Sequence, residues 1–135
     1  PRLFGAVAHV EAWLARGASA FLLGRLMASA AGQDIALRSD PAFRAGMAGV
    51  LRAGLGRDPR GFIAEVRAYV DDWRDELAKV TAPVTLWQGD ADNWTPTAMA
   101  TALAAALPGR ARVEWLPGCS HYSALRAALL RIAAP

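Results

Sequence analysis

The reactive residue types of this sequence gather in two short stretches. One is Gln88-Gly89-Asp90-Ala91-Asp92-Asn93-Trp94-Thr95-Pro96, and the other is Pro117-Gly118-Cys119-Ser120-His121-Tyr122. Asp92 and His121 stand 29 positions apart (121 − 92). A carboxylate beside an imidazole can accept the Nδ1 hydrogen, fix the ring's tautomer and stabilise the imidazolium. A ring held that way takes a proton from a nucleophile and later returns one to a leaving group. Both stretches read as loops, so this chemistry depends on elements that bring them side by side.

Val84-Thr85-Leu86-Trp87, after Pro83, is a short apolar run of the kind found in strands buried on both faces of a parallel sheet. Thr95-Pro96 opens a helix with Met99, Leu103, Ala106 and Leu107 on one side, and Pro108-Gly109 ends it. Arg112 to Leu116 reads as a second strand, broken by Pro117-Gly118. Tyr122, Leu125, Leu129 and Ile132 then mark a last helix. Strand, loop, helix, repeated once, predicts a parallel α/β arrangement. In open sheets of that kind, functional groups collect beyond the carboxyl ends of the strands, which is where both stretches fall.

The first part of the chain has a different texture. Leu3, Val7, Val10 and Leu14 recur at helical spacing with Gly17 as a stop, and an apolar helix follows around Phe21 to Ala30. Asp40-Pro41 is a helix start, with Phe43, Met47, Val50 and Leu51 on one face, and Asp58-Pro59 repeats the signal. Phe62, Val66, Tyr69, Val70, Trp73 and Leu77 form the most regular stripe in the chain and are expected to pack into a core.

Composition narrows the classes. The chain has 135 residues, 54% apolar and 20% charged, which suits a globular domain. Its net charge is +3, but arginines and acids share the same stretches, as in Asp71-Asp72-Trp73-Arg74-Asp75-Glu76, so no nucleic-acid partner is expected. Cys119 is the single cysteine, which rules out an intrachain disulfide, and no apolar run is long enough to span a bilayer. The expectation is a cytoplasmic protein without metal, cofactor or membrane partner. The chain opens Pro-Arg-Leu-Phe, which leads to the further expectation that residues ahead of Pro1 have been lost.

The run Ala82-Pro83-Val84-Thr85-Leu86-Trp87-Gln88-Gly89, leading into Asp92 and Pro96, resembles the penultimate-strand signature of the α/β-hydrolase family. There a strand ends in Gly, the catalytic acid lies three residues on, and a proline follows four later. Leu107-Pro108-Gly109 through Glu114-Trp115-Leu116-Pro117-Gly118-Cys119-Ser120-His121 is similar to the family's last strand and histidine loop. The matching region covers about residues 73 to 133, and the family order of nucleophile, acid and histidine is respected for the last two.

The resemblance implies a partial α/β-hydrolase fold, with two C-terminal parallel strands and flanking helices over residues 79–135. An all-helical cap would occupy residues 1–78. It implies that Asp92 is the triad acid and His121 the general base of an esterase-like serine hydrolase, acting on an ester or other activated acyl group of a small-molecule substrate. Trp87, Trp94 and Trp115 are expected in the core, with Trp94, between Asp92 and Pro96, also a candidate substrate contact at the pocket mouth.

The departure from the family pattern is the nucleophile. No G-x-S-x-G elbow occurs: Gly118-Cys119-Ser120-His121-Tyr122 ends in Tyr122, and Gly17-Ala18-Ser19-Ala20-Phe21 fails likewise. The chain alone is therefore expected to be inactive, since a base without a nucleophile and oxyanion donors has nothing to activate. Two strands do not make a stable sheet, so the remainder is expected from a missing N-terminal part of the fold, or from self-association through the open edge.

Other readings stand beside these. Asp92 could be a turn residue, and Asp90 reads as its solvated or turn-forming neighbour. His9 reads as a packing or surface residue and Cys119 as a small packing residue. Asp90-Ala91-Asp92 resembles the paired aspartates of phosphotransferases, but Trp94 occupies the threonine position of that motif. The alternative outside enzymology is a non-catalytic, hydrolase-like binding or interaction module.

Overall fold

The computed structural model describes residues 2–55, 58–72, 74–107 and 109–134, with side chains from residue 7 onward. Trp73 of the expected apolar stripe and Pro108 of the expected helix stop lie outside the described residues, as does the side chain of Leu3. The helices are α1 (Arg2–Gly17), α2 (Ser19–Leu26) running into a 3-10 turn (Met27–Ser29), α3 (Asp34–Ser39), α4 (Pro41–Gly54), α5 (Arg60–Val70) and α6 (Arg74–Leu77). Strand β1 (Val84–Gly89), α7 (Thr97–Ala106), β2 (Ala111–Leu116) and α8 (His121–Ala133) complete the order. The class is mixed α/β. No helix among the described residues is long and apolar enough to cross a membrane.

The chain divides into two compact units. Residues 1–29 and 38–71 form the first, and residues 30–37 and 72–135 form the second. A single boundary after residue 78 was expected; the division instead falls after 71, and an eight-residue piece of the helical half belongs with the strands.

The first unit packs α1, α2 and α4 together. Its buried apolar residues are Ala8, Ala12 and Ala15 of α1, Leu22 and Leu23 of α2, Met27 and Ala48. Alanines at the contacts let helix backbones approach closely, and the larger Trp13 and Phe21 remain exposed. Helix α4 starts where Asp40-Pro41 predicts: Asp40 Oδ1 accepts the amides of Ala42 (2.8 Å) and Phe43 (3.2 Å). Asp58 likewise accepts the Arg60 amide at 3.0 Å ahead of α5.

The stripe from Phe62 to Leu77 requires correction. It does not run as one helix, because Asp71 adopts an extended backbone (ψ 151°) that ends α5, and Asp72 accepts the Arg74 amide to start α6. Nor does it form a core: α5 has no buried residue, and Tyr69 and Val70 are about four-fifths exposed (80% and 81%). Helical spacing predicts a face, but burial also needs an element opposite it, and among the described residues none buries a residue of α5.

In the second unit β1 and β2 pair in parallel, from Val84 opposite Ala111 to Gly89 opposite Leu116. Among the described residues the sheet has these two strands alone. Strand β1 is consequently half-buried along most of its length rather than buried on both faces. Trp115, expected in the core, is exposed for the same reason, and Trp87 is half-buried with the Arg131 guanidinium 5.2 Å above its ring. The core cluster is Leu116, Cys119 and Ala124, with Trp87 and Ala127 against it. Helix α8 turns Ala124 and Ala128 inward and leaves Leu125, Leu129 and Ile132 exposed.

Candidate functional site

Both reactive stretches leave the carboxyl ends of the paired strands, and their backbones are stitched together. Ala91 N donates to the Cys119 carbonyl (3.0 Å) and Asp90 N to the Leu116 carbonyl (3.4 Å). Asp90 is exposed, and its Oδ1 accepts the Gly118 amide at 2.7 Å, so its carboxylate ties the two loops together. Gly89 makes the approach possible: a Cβ there would collide with the backbone of Cys119. Gln88 crosses from the strand into the acid loop, where Nε2 donates to the Thr95 carbonyl at 3.0 Å.

The result joins the two residues singled out from sequence. His121 Nδ1 lies 3.2 Å from Asp92 Oδ2, with the carboxylate side chain 4% exposed and the imidazole 38%. Asp92 Oδ2 also accepts the Thr95 hydroxyl (2.6 Å), while Oδ1 accepts the amides of Trp94 (2.8 Å) and Thr95 (3.0 Å). Burial pushes the Asp92 carboxyl up; the Thr95 hydroxyl and amide, the Trp94 amide and the His121 ring together outweigh it and hold the group below its ordinary value. An ionised carboxylate can only accept, so the neutral ring carries its hydrogen on Nδ1 and keeps a lone pair on Nε2. Asp92 thus makes a turn bond to the residues after it and an orienting bond to the ring with the same carboxylate.

Two aromatic rings lie against the imidazole. Trp94 stacks on it at 5.2 Å and 22°, and Tyr122 meets it edge-on at 5.3 Å and 85°. Trp94 is 37% exposed, so its indole reaches solvent while covering one face of the histidine. Burial, and then the Asp34 carboxylate, raise the Tyr122 hydroxyl above its ordinary pKa.

The bond to Asp92 is the ring's hydrogen bond among the described residues, and no hydroxyl or thiol reaches it. Cys119 is buried in the core cluster, and the Ser120 hydroxyl is buried beside it. His9 lies on an exposed position of α1, in the other unit. No group of three or more His, Cys, Asp or Glu residues among those described could hold a metal ion.

The sequence reading passed over a third component. Residues 30–37 lie against the histidine loop: Gln33 N donates to the Gly118 carbonyl at 2.9 Å, and Gln33 Nε2 to the Pro117 carbonyl at 3.2 Å. Gly32 has φ +50°, and a Cβ there would meet the Gly118 carbonyl and the Ala91 side chain. Asp34, 2% exposed, accepts the amides of Tyr122 (2.9 Å) and Ser123 (2.7 Å) at the first turn of α8. Locally, Gly32-Gln33-Asp34 signals a turn and the start of its own helix; nothing in it announces a partner 88 residues away. Thr95 reads from sequence as a helix start alone, although a hydroxyl three residues after an acid is a recognisable side-chain turn.

No protein-family model, no curated protein and no solved structure matches this chain, so the case for its chemistry rests on the geometry above.

Proposed function

We propose that the chain is the acid- and histidine-bearing part of a serine-type α/β-hydrolase, in which Asp92 orients His121 and the His121 Nε2 serves as general base toward a nucleophile supplied from outside these residues. The observation that carries this reading is the contact of 3.2 Å between Asp92 Oδ2 and His121 Nδ1, made across two loops at the same end of neighbouring parallel strands. That arrangement matches what acyl transfer asks of an acid–imidazole pair: a fixed tautomer, a basic nitrogen turned away from the acid, and a nearby negative charge when the ring becomes an imidazolium. The lowered Asp92 pKa supports the same role, because it favours the ionised carboxylate that accepts the ring's hydrogen.

The substrate is a small molecule with an ester or similarly activated acyl group, and no step needs a cofactor. Residues 1–29 and 38–71 supply the helical cap, and residues 30–37 and 72–135 the last part of the hydrolase core. The remaining strands come from an N-terminal segment, or a second copy of the chain lies along the open sheet edge. In this scheme the chain by itself does not turn over substrate.

The test is ester hydrolysis by a form of the protein that carries an elbow serine as well as this chain. Asp92→Asn is expected to lower kcat by roughly 10³- to 10⁴-fold, with little loss of folding. Unchanged turnover in Asp92→Asn, or in His121→Gln, would remove the pair from the reaction. The second reading, a binding module without turnover, is favoured by the absence of any hydroxyl or thiol bonded to His121 among the described residues. It predicts that no natural form of the protein labels with a serine-directed phosphonate.

A further inference from the structure

A helix that starts after a serine usually finds its first acceptor in that serine's own hydroxyl. In α8 the arrangement differs. Ser120 precedes the helix and its amide donates to the Ser123 hydroxyl (2.7 Å), but the amides of Tyr122 and Ser123 donate to the Asp34 carboxylate. His121 is the first residue of this helix, directly before the two amides that Asp34 holds. The direction of its imidazole is therefore set by the same turn of backbone that the Asp34 carboxylate fixes.

We infer that Asp34, with Gln33 and Gly32, is a positioning residue for His121: a carboxylate from a distant segment clamps the first turn of α8 and thereby holds the imidazole against Asp92. This rests on reading Asp92 and His121 as a working acid–imidazole pair. The fit is tight on both loops, since Gly32 has no room for a Cβ between the Gly118 carbonyl and Ala91, and Gln33 bonds the two carbonyls of Pro117 and Gly118. Position matters at this scale, because a displacement of about 1 Å in a reacting group costs on the order of a hundredfold in rate. The clamp's negative charge also lies at the positive end of α8, where a carboxylate is favoured.

The clamp can be separated from a merely stabilising cap by a control inside the molecule. Asp40 makes the same bonds at the start of α4, in the other unit. The measurement is solvent exchange of the His121 Nδ1 proton in the full chain, followed by NMR with labelled histidine; the sequence has just two histidines, His9 and His121. Asp34→Asn keeps one acceptor and turns an amide donor toward the second N–H. It is expected to speed that exchange by about tenfold, the scale on which residues behind a functional ligand act. Gln33→Ala is expected to act in the same direction by about threefold, through more frequent local opening of the loop. Asp40→Ala is expected to lower the melting temperature without changing the exchange.

An exchange rate in Asp34→Asn within about twofold of wild type would overturn the proposal, and so would equal acceleration by Asp40→Ala, since local opening would then not depend on the clamp. If Asp34→Asn does not fold, Gln33→Ala decides, and an unchanged rate there overturns it. The readout needs no turnover. Failure of ester hydrolysis with the exchange pattern intact would sink the hydrolase reading and leave the clamp standing, whereas a wild-type chain with no bonded Nδ1 proton would overturn both.

Discussion

Helix α4 of the first unit and helix α8 of the second start in chemically similar but topologically opposite ways. In the first unit, α4 is capped by Asp40, whose carboxylate reaches amides two and three residues ahead. In the second, α8 is capped by Asp34, whose carboxylate reaches amides 88 and 89 residues ahead. Individual glycines show the same contrast. Gly46, Gly49 and Gly54 of α4 face open space, whereas Gly32 and Gly89 each stand where a Cβ would strike the histidine loop. Local chemistry starts α4, and a contact between distant segments holds the start of α8. The second unit is also where the reactive residues meet, because an acid and a ring from different loops can be held in register only by long-range constraints.

The glycines allow the hardest test of that contrast. Gly89→Ala must displace the Cys119 backbone, and overpacking against backbone is expected to cost about 3 kcal/mol in a denaturant melt. Gly46→Ala, in an open helical position, is expected to stabilise by about 0.5–1 kcal/mol. Two melts that move together would erase the distinction.

The caps give the next largest effect. Asp34→Ala leaves two amides of α8 without their acceptor at a buried site and is expected to cost about 2–3 kcal/mol. Asp40→Ala, at a more exposed helix start that water can reach, is expected to cost about 1 kcal/mol. Equal losses would mean that distance along the chain adds nothing to the worth of a cap.

The finest comparison is in pH. The Asp92 carboxyl has a folded pKa below its ordinary value, so the folded state binds fewer protons there than the unfolded state as acid is added. Its contribution to stability is complete above the ordinary carboxylate range and is lost as the pH falls through the depressed folded value. Asp92→Asn should flatten that part of the acid limb of a stability–pH curve. An acid limb identical to wild type would show that the donors around Asp92 do not favour its charged form.

Legibility follows the same division. The Asp40-Pro41 start, the strand from Val84, the break at Pro117-Gly118 and the last helix could be read because each depends on neighbours within one or two turns. Helix α3 was passed over because its six residues carry no period long enough to register. The stripe of α5 was misread as core because periodicity reports a face and not what lies opposite it. For the site, Asp92 and His121 were legible from their places after two apolar runs. Asp34, Gln33 and Gly32 were not, since their residue types say turn and helix start while their partners lie in another loop.

By itself, then, the sequence marked Asp92, His121, both strands and the longer helices, because propensity and capping are properties of a few consecutive residues. Only the tertiary structure decided that Asp92 meets His121 at 3.2 Å, that Trp94 covers the ring, and that Asp34 holds the helix from which the ring projects. Those facts depend on how closely separate backbones approach, and that is set by the packing of many side chains at once.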